Sequence, residues 1–342
     1  MRGLAGWANP SSPHAEGRAM RAALESARNV IRTAYRWPGE LIFTSGATEA
    51  INLALGRAQV ASRMIVATEH DSVLRAAPDA IRLPVGDDGR IDLAVLEAEL
   101  AVAPAPALVA VQWGNSETGV IQPLREIARR VAAAGGKLFV DAAQMPVNWQ
   151  GADQPQELAD LIAISGHKRG GPPGIGGLLV RDLGLLLPTG GQERGYRGGT
   201  ENVPGALGFA AASAVPEDLA AMAAMRERLE QAVRMLGGEV VADAPRTPHI
   251  GSYRMPGVSA AAQLIRFDMA GISVSAGSAC SSGSMRPSHV LGAMGWDGAR
   301  AGEVIRVSFG RTTTPADIER FIAAWGGIVC DRRTRAGAVE VA

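Results

Sequence analysis

Between residues 40 and 180, short runs of aliphatic and β-branched residues alternate with longer stretches of helical periodicity, and this alternation constrains the chain more than any other feature. The periodicity predicts strands at 41–44, 64–67, 108–112, 138–140, 161–164 and 178–180, with helices at 47–55, 93–100 and 124–134 between them. Strand and helix in turn make βαβ units, so an α/β fold with a mostly parallel sheet is expected. Its ligands should gather where the strands end. Residues 15–35 read as an amphipathic helix, because Leu24, Ala27, Ile31 and Ala34 recur at helical spacing. Beyond Glu217 the rhythm changes. A helix at 218–236 leads into strands at 250–254, 272–274 and 304–308 and helices at 260–270 and 315–325. These predict a large domain over 1–214 and a smaller α+β domain over 215–342, with only the last ten or so residues disordered.

The bulk properties narrow the function. A formal net charge of zero and no basic stripe leave no footprint for nucleic acid. No apolar run reaches the roughly 18 residues of a membrane span. The two cysteines, Cys280 and Cys330, form neither a CxxC pair nor a disulfide framework, so a reducing, cytoplasmic setting is expected and no metal site. Arginine supplies nearly all the positive charge. Lys137 and Lys168 are the only two lysines, and a retained lysine points to chemistry that guanidinium cannot perform. Lys137, in Gly-Gly-Lys before an apolar strand, has an ordinary surface explanation.

Five segments carry candidate chemistry. In Phe43-Thr44-Ser45-Gly46-Ala47-Thr48-Glu49-Ala50, a strand passes through a glycine turn into a helix, whose first N–H groups with the Thr48 hydroxyl could cradle a phosphate; plain helix capping is the alternative. Asp141 closes the apolar strand before Ala142-Ala143-Gln144, where a carboxylate can hold a protonated ring nitrogen or cap the next helix. Ser165-Gly166-His167-Lys168-Arg169-Gly170-Gly171 sets a lysine directly after a buried strand, a placement suited to a Schiff base with an aldehyde cofactor. A P-loop is excluded, because Arg169 follows Lys168 where Ser or Thr is required. His70, in Glu69-His70-Asp71, also follows a strand and could stack on a ring, shuttle protons or serve structure. Finally, the run from Ser275 to Ser284 is too polar and glycine-rich for a stiff element and presents one thiol, Cys280, suited to nucleophilic attack; an incidental cysteine in a linker is the alternative.

In this order the segments closely resemble the cysteine desulfurases of the NifS-like branch, within the class V aminotransferases, which are fold-type I pyridoxal-phosphate enzymes. The likeness runs from about Asn9 to Thr314. It also takes in Asn9-Pro10-Ser11-Ser12-Pro13-His14, Glu117-Thr118-Gly119-Val120-Ile121-Gln122-Pro123, Arg197-Gly198-Gly199-Thr200-Glu201-Asn202, Gly277-Ser278-Ala279-Cys280 and Ile305-Arg306. It implies a seven-stranded, mostly parallel sheet in the large domain and pyridoxal 5'-phosphate as cofactor. Lys168 would hold the cofactor, Asp141 would pair its pyridine nitrogen, His70 would stack on the ring and Gln144 would bond the phenolic oxygen. Ala47, Thr48, Ser165 and His167 would hold the phosphate, joined by Thr200 from the second subunit of a homodimer. Arg306 would clamp the carboxylate of L-cysteine, and Cys280 would take the sulfur as a persulfide, releasing L-alanine and serving a sulfur-acceptor protein, as in iron–sulfur cluster assembly.

Three departures from the family pattern qualify this. The family usually places Asn, in contact with cofactor and substrate, before the Glu of its Asn-Glu-x-Gly segment. Here the run is Asn115-Ser116-Glu117, so Asn115 and Ser116 share that region and Ser116 takes the Asn position. The strand and Ala-Thr-Thr-Pro-like turn that normally precede Asn9 are not found, so a shortened large domain is expected. The long tail by which housekeeping members dock a scaffold is not found either, and that partner is not expected. The competing readings are a related class V lyase or aminotransferase acting on another small amino acid, and a catalytically reduced sulfur-relay homologue.

Overall fold

The computed structural model describes residues 6–151, 153–277 and 287–339. They gather into two compact units. The larger comprises Met1–Pro84, Ile91–Trp113 and Gln122–Glu217; the smaller comprises Val85–Arg90, Gly114–Ile121 and Asp218–Ala342.

The larger unit is built on a seven-stranded sheet: β1 (Glu40–Thr44), β2 (Ser62–Val66), β3 (Ile81–Leu83), β4 (Ala107–Gln112), β5 (Lys137–Asp141), β6 (Leu161–Ser165) and β7 (Gly176–Val180). The spatial order is β1-β7-β6-β5-β4-β2-β3. β7 runs antiparallel to β1 and β6, and the pairings among β2 to β6 are parallel. The sheet is thus the expected mostly parallel one. Its strands read as continuous apolar runs because both faces are covered; β4 is buried at every position. Flanking helices present stripes to it: α1 (Ala15–Ala34) buries Leu24, Ala27 and Ile31, and the helix Leu124–Ala133 buries Leu124, Ile127 and Val131. Ile42, Ile51, Leu55, Ile65, Leu108, Phe139, Leu161 and Leu178 share one core cluster. Each such side chain contributes about 1.5–3 kcal/mol when fully buried.

The smaller unit holds a four-stranded antiparallel sheet, β10-β11-β9-β8, from Glu239–Val240 (β8), Ile250–Arg254 (β9), Ser275–Ala276 (β10) and Val304–Ser308 (β11). Helices Leu219–Met235, Ala260–Met269 and Pro315–Val339 pack on it around Tyr253, Phe267, Phe321 and Trp325. The Phe267 and Phe321 rings stack with centroids 4.6 Å apart.

Several expectations are corrected. Residues 272–274 are not a strand. Gly271, at φ 69°, ends the preceding helix, and the N–H of Ile272 is spent on the carbonyl of Phe267 (2.9 Å), so pairing with β11 starts at Ser275. The last helix continues past 325 to Val339, through residues expected to be disordered. Its apolar stripe of Ile318, Phe321 and Trp325 goes on through Ile328 and Val329. Strand β3 and the helix Asp71–Ala76 were not anticipated, being too short for periodicity to register.

Candidate active site

In the larger unit, register brings the candidate residues to one edge of the sheet. Thr44 and Ser165 both pair with Gly176, while Asp141 pairs with Gln112 on one side and Ala163 on the other. The segments leaving β1, β4, β5 and β6 therefore emerge together. Gly176 makes this close approach possible: a Cβ there would lie 2.7 Å from the backbone of Gly46 and from the carbonyl oxygen of Ile164.

The helix after β1, Ala47–Arg57, starts from Gly46, which has no side chain to bond the first N–H groups, and a Cβ built on Gly46 would meet nothing within 4 Å. An uncapped, open helix start is suited to an anion. Ala47 and Thr48 lie at this start, and Thr48 is exposed. Ser165, buried at the end of β6, holds His167 through an Oγ–Nδ1 contact of 3.0 Å. Burial, and then the charge of Lys168, pushes the His167 imidazole down from its ordinary value.

Lys168 sits in a 3₁₀ turn, His167–Arg169, directly after β6, with its side chain exposed. Gly170, at φ 76°, lets the turn end, and a side chain at Gly166 would strike Ile175 at 2.8 Å. Next to Lys168, Arg169 turns inward. Its Nη1 donates to both carboxylate oxygens of Glu217 at 3.0 and 3.1 Å, and both residues are buried.

Asp141 is buried, and its Oδ1 accepts from the N–H of Ala143 at 3.0 Å. Burial raises its carboxyl above the ordinary value, opposed by that N–H and by the charges of His70 and Lys168. A carboxyl with raised proton affinity suits sharing a proton with a ring nitrogen. His70 caps the helix Asp71–Ala76: Nδ1 accepts from the N–H of Ser72 at 3.2 Å and contacts the Ser72 hydroxyl at 2.7 Å. Beneath it, Glu69 is fully buried and accepts from the N–H of Gln112 at 2.6 Å. Burial, and then the charge of Asp141, holds the Glu69 carboxyl well above the carboxylate range. Gln144 is half-buried, and its main-chain carbonyl accepts from Arg169 Nη2 at 3.5 Å.

The other candidates belong elsewhere. Asn115, Ser116 and Arg306 lie in the smaller unit. Asn115 is buried and builds a turn, its Oδ1 accepting from the N–H groups of Glu117 (2.9 Å) and Thr118 (2.8 Å). That turn delivers the Ser116 carbonyl to Arg306 Nη1 at 3.0 Å, while Arg306 Nη2 donates to Ser275 Oγ at 3.0 Å. Arg306 Nε is buried with no partner among the described residues. Burial lowers the Arg306 guanidinium from its ordinary value, against the pull of Glu117. Thr200 is exposed on a loop of the larger unit, tethered through Arg197 Nε to Glu49 at 2.8 Å. Cys280 lies outside the described residues; Cys330 is an exposed thiol. The sequence reading missed Glu69, Arg169 and Glu217. Glu69 and Arg169 adjoin residues it singled out, but nothing local foretells the pairing of Arg169 with a carboxylate 48 residues on.

A parallel-sheet unit with a lysine, a buried carboxyl and an uncapped helix start at adjoining strand ends is the arrangement of fold-type I pyridoxal-phosphate enzymes. The aminotransferase class-V family model matches residues 5–321. A cysteine desulfurase of Cereibacter sphaeroides is 36% identical over 97% of this chain and 92% of its own length. Among solved structures, a NifS-like protein from Rickettsia africae superposes with a TM-score of 0.84 at 30% identity, covering 96% of this chain and 94% of that one. SspA, solved in complex with cysteine, gives 0.76 at 26%, covering 91% and 93%. The chain belongs to the class V aminotransferases, in their NifS-like cysteine desulfurase branch, a family dependent on pyridoxal phosphate.

Proposed function

We propose that the chain is a cysteine desulfurase that binds pyridoxal 5'-phosphate in its larger unit, converts L-cysteine to L-alanine and keeps the sulfur as a persulfide on Cys280. The observation that carries the reading is the meeting of Lys168, Asp141 and the uncapped helix start at Gly46 on neighbouring strand ends. These residues fit the cofactor: an amine for its aldehyde, a buried carboxyl for its ring nitrogen and free-standing helix amides for its phosphate.

When bound, pyridoxal phosphate supplies an aldehyde that takes up an amino group and a ring that accepts electron density from the adjoining carbon. Ala47, Thr48, Ser165 and His167 would hold the phosphate, with Thr200 serving the second subunit of a homodimer. Asp141 would pair the ring nitrogen, Gln144 would bond the phenolic oxygen and His70 would cover the ring. Lys168 Nζ would hold the cofactor and, when free, would take the proton from the cysteine Cα. Arg306 receives the substrate carboxylate on its fork, a planar match that Lys cannot give, beside Asn115 and Ser116. The Cys280 thiolate would attack the substrate sulfur; a sulfur–sulfur bond forms, the carbon–sulfur bond breaks, its electron pair stays on Cβ, which takes up a proton, and Lys168 returns the proton to Cα. The sulfur then passes to an acceptor protein in the cytoplasm. Along the chain, 1–214 carries Lys168 and Asp141, and 215–342 carries Cys280 and Arg306.

The test is the absorbance of the purified protein before and after L-cysteine, with alanine and sulfide quantified under reducing conditions. Equal amounts of both support the reading. A coloured protein that releases neither refutes it.

A further inference from the structure

Resting on that reading, we propose that the buried Arg169–Glu217 pair is a positioning device that fixes two groups addressing adjoining substituents of the cofactor ring: Lys168 and Gln144. Successive side chains of a 3₁₀ turn diverge by a third of a revolution. Anchoring Arg169 inward therefore determines the direction in which Lys168 leaves the turn. The anchor is firm. Arg169 is 4% exposed and Glu217 9%, and one guanidinium nitrogen reaches both carboxylate oxygens at 3.0 and 3.1 Å. The second terminal nitrogen, Nη2, reaches the main-chain carbonyl of Gln144 at 3.5 Å, holding the backbone from which that side chain leaves. The carbonyl of Glu217 in turn accepts from Asn148 Nδ2 at 2.8 Å, so the segment after β5 is held at two points.

The turn itself has no slack. The N–H groups of Arg169 and Gly171 both bond the carbonyl of Gly166 at 3.0 Å, and a Cβ on Gly171 would lie 2.9 Å from that oxygen. Burying two charges costs desolvation that a hydrophobic pair of the same volume avoids. Stability alone therefore gives weak reason for an ion pair at this point, whereas directional hold on a reacting amine gives a strong one.

The test compares the parent with Arg169→Met/Glu217→Leu, which removes both charges and keeps the volume, and with Glu217→Gln, which keeps the shape and removes one charge. The first readout needs no cofactor: hydrogen–deuterium exchange of the segment 165–172 in the cofactor-free protein. The second is the dissociation constant for pyridoxal phosphate and the pH midpoint of the bound cofactor's absorbance. With melting held within about 3 °C of the parent, the exchange of 165–172 should quicken several-fold. The dissociation constant should rise by about tenfold, on the scale of losses from mispositioned groups, and the pH midpoint should move. Parental exchange, affinity and midpoint in the double variant would overturn the proposal. Should the double variant fail to fold, the same outcomes are read from Glu217→Gln. If the parent itself takes up no cofactor, the functional reading fails, while the exchange readout still decides whether the pair holds the turn.

Discussion

The two units assemble their candidate residues in different ways. In the larger one, Asp141 and Ser165 terminate strands, Lys168 follows three residues after one, and the ladder register from β1 across to β4 fixes their order. In the smaller one, Arg306 lies within a strand, but its partner Ser116 comes from Gly114–Ile121, a short piece of chain that depends on the Asn115 turn. A site set by sheet register is rigid and tolerant of surface change. A site that relies on one turn should respond to single substitutions there by small, graded amounts.

Lys168→Ala gives the sharpest break. It should erase the cofactor absorbance near roughly 420 nm, a property of the lysine-bound chromophore, and lower the rate by at least about 10²–10⁴, the usual contribution of a positioned proton-transfer group. Stopped-flow assay and spectrum check both. Arg306→Gln should leave that absorbance intact while raising KM for L-cysteine about 10- to 100-fold, the worth of about 1.5–3 kcal/mol for hydrogen bonds to a charged group. Loss of colour in Arg306→Gln would erase the division between the units.

Glu69→Gln tests the buried edge of the larger unit through pH. Because the folded-state carboxyl binds its proton more tightly than the ordinary value of 4.5, its contribution is complete below that value. It is lost as pH rises towards the folded value. Melting of the cofactor-free protein should therefore fall as pH rises above 4.5, and more shallowly in Glu69→Gln than in the parent. Equal slopes would show that Glu69 releases its proton in the fold as it does in the unfolded chain. The smallest effect belongs to the turn: Ser116→Asn should raise kcat/KM about 2- to 10-fold, the worth of one hydrogen bond of about 0.5–1.5 kcal/mol.

Legibility in the sequence cut across that division. Strands β9 and β11 coincide with the runs at 250–254 and 304–308, and the alternation between 40 and 180 announced the sheet and the strand ends where chemistry would gather. Asp141 and Lys168 were visible because each directly follows an apolar run. The helix Val203–Ser213 escaped, since its run of alanine, glycine and proline carries no amphipathic stripe. The Arg169–Glu217 pair escaped because partners 48 residues apart leave no local mark; only the folded backbone brings them together. His70 reads in the sequence as a candidate for ring stacking, proton shuttling or structure, and its capping of the helix Asp71–Ala76 leaves no mark there because that helix is too short for periodicity.

The chain has two lysines, Lys137 and Lys168, and this makes the central claim unusually easy to test. Borohydride reduction of the cofactor-loaded protein followed by peptide mapping should place the pyridoxyl group on Lys168 alone. Recovery of the label on Lys137, which lies at the start of β5 and pairs with Asp160 at 3.3 Å, or on neither lysine, would contradict the account.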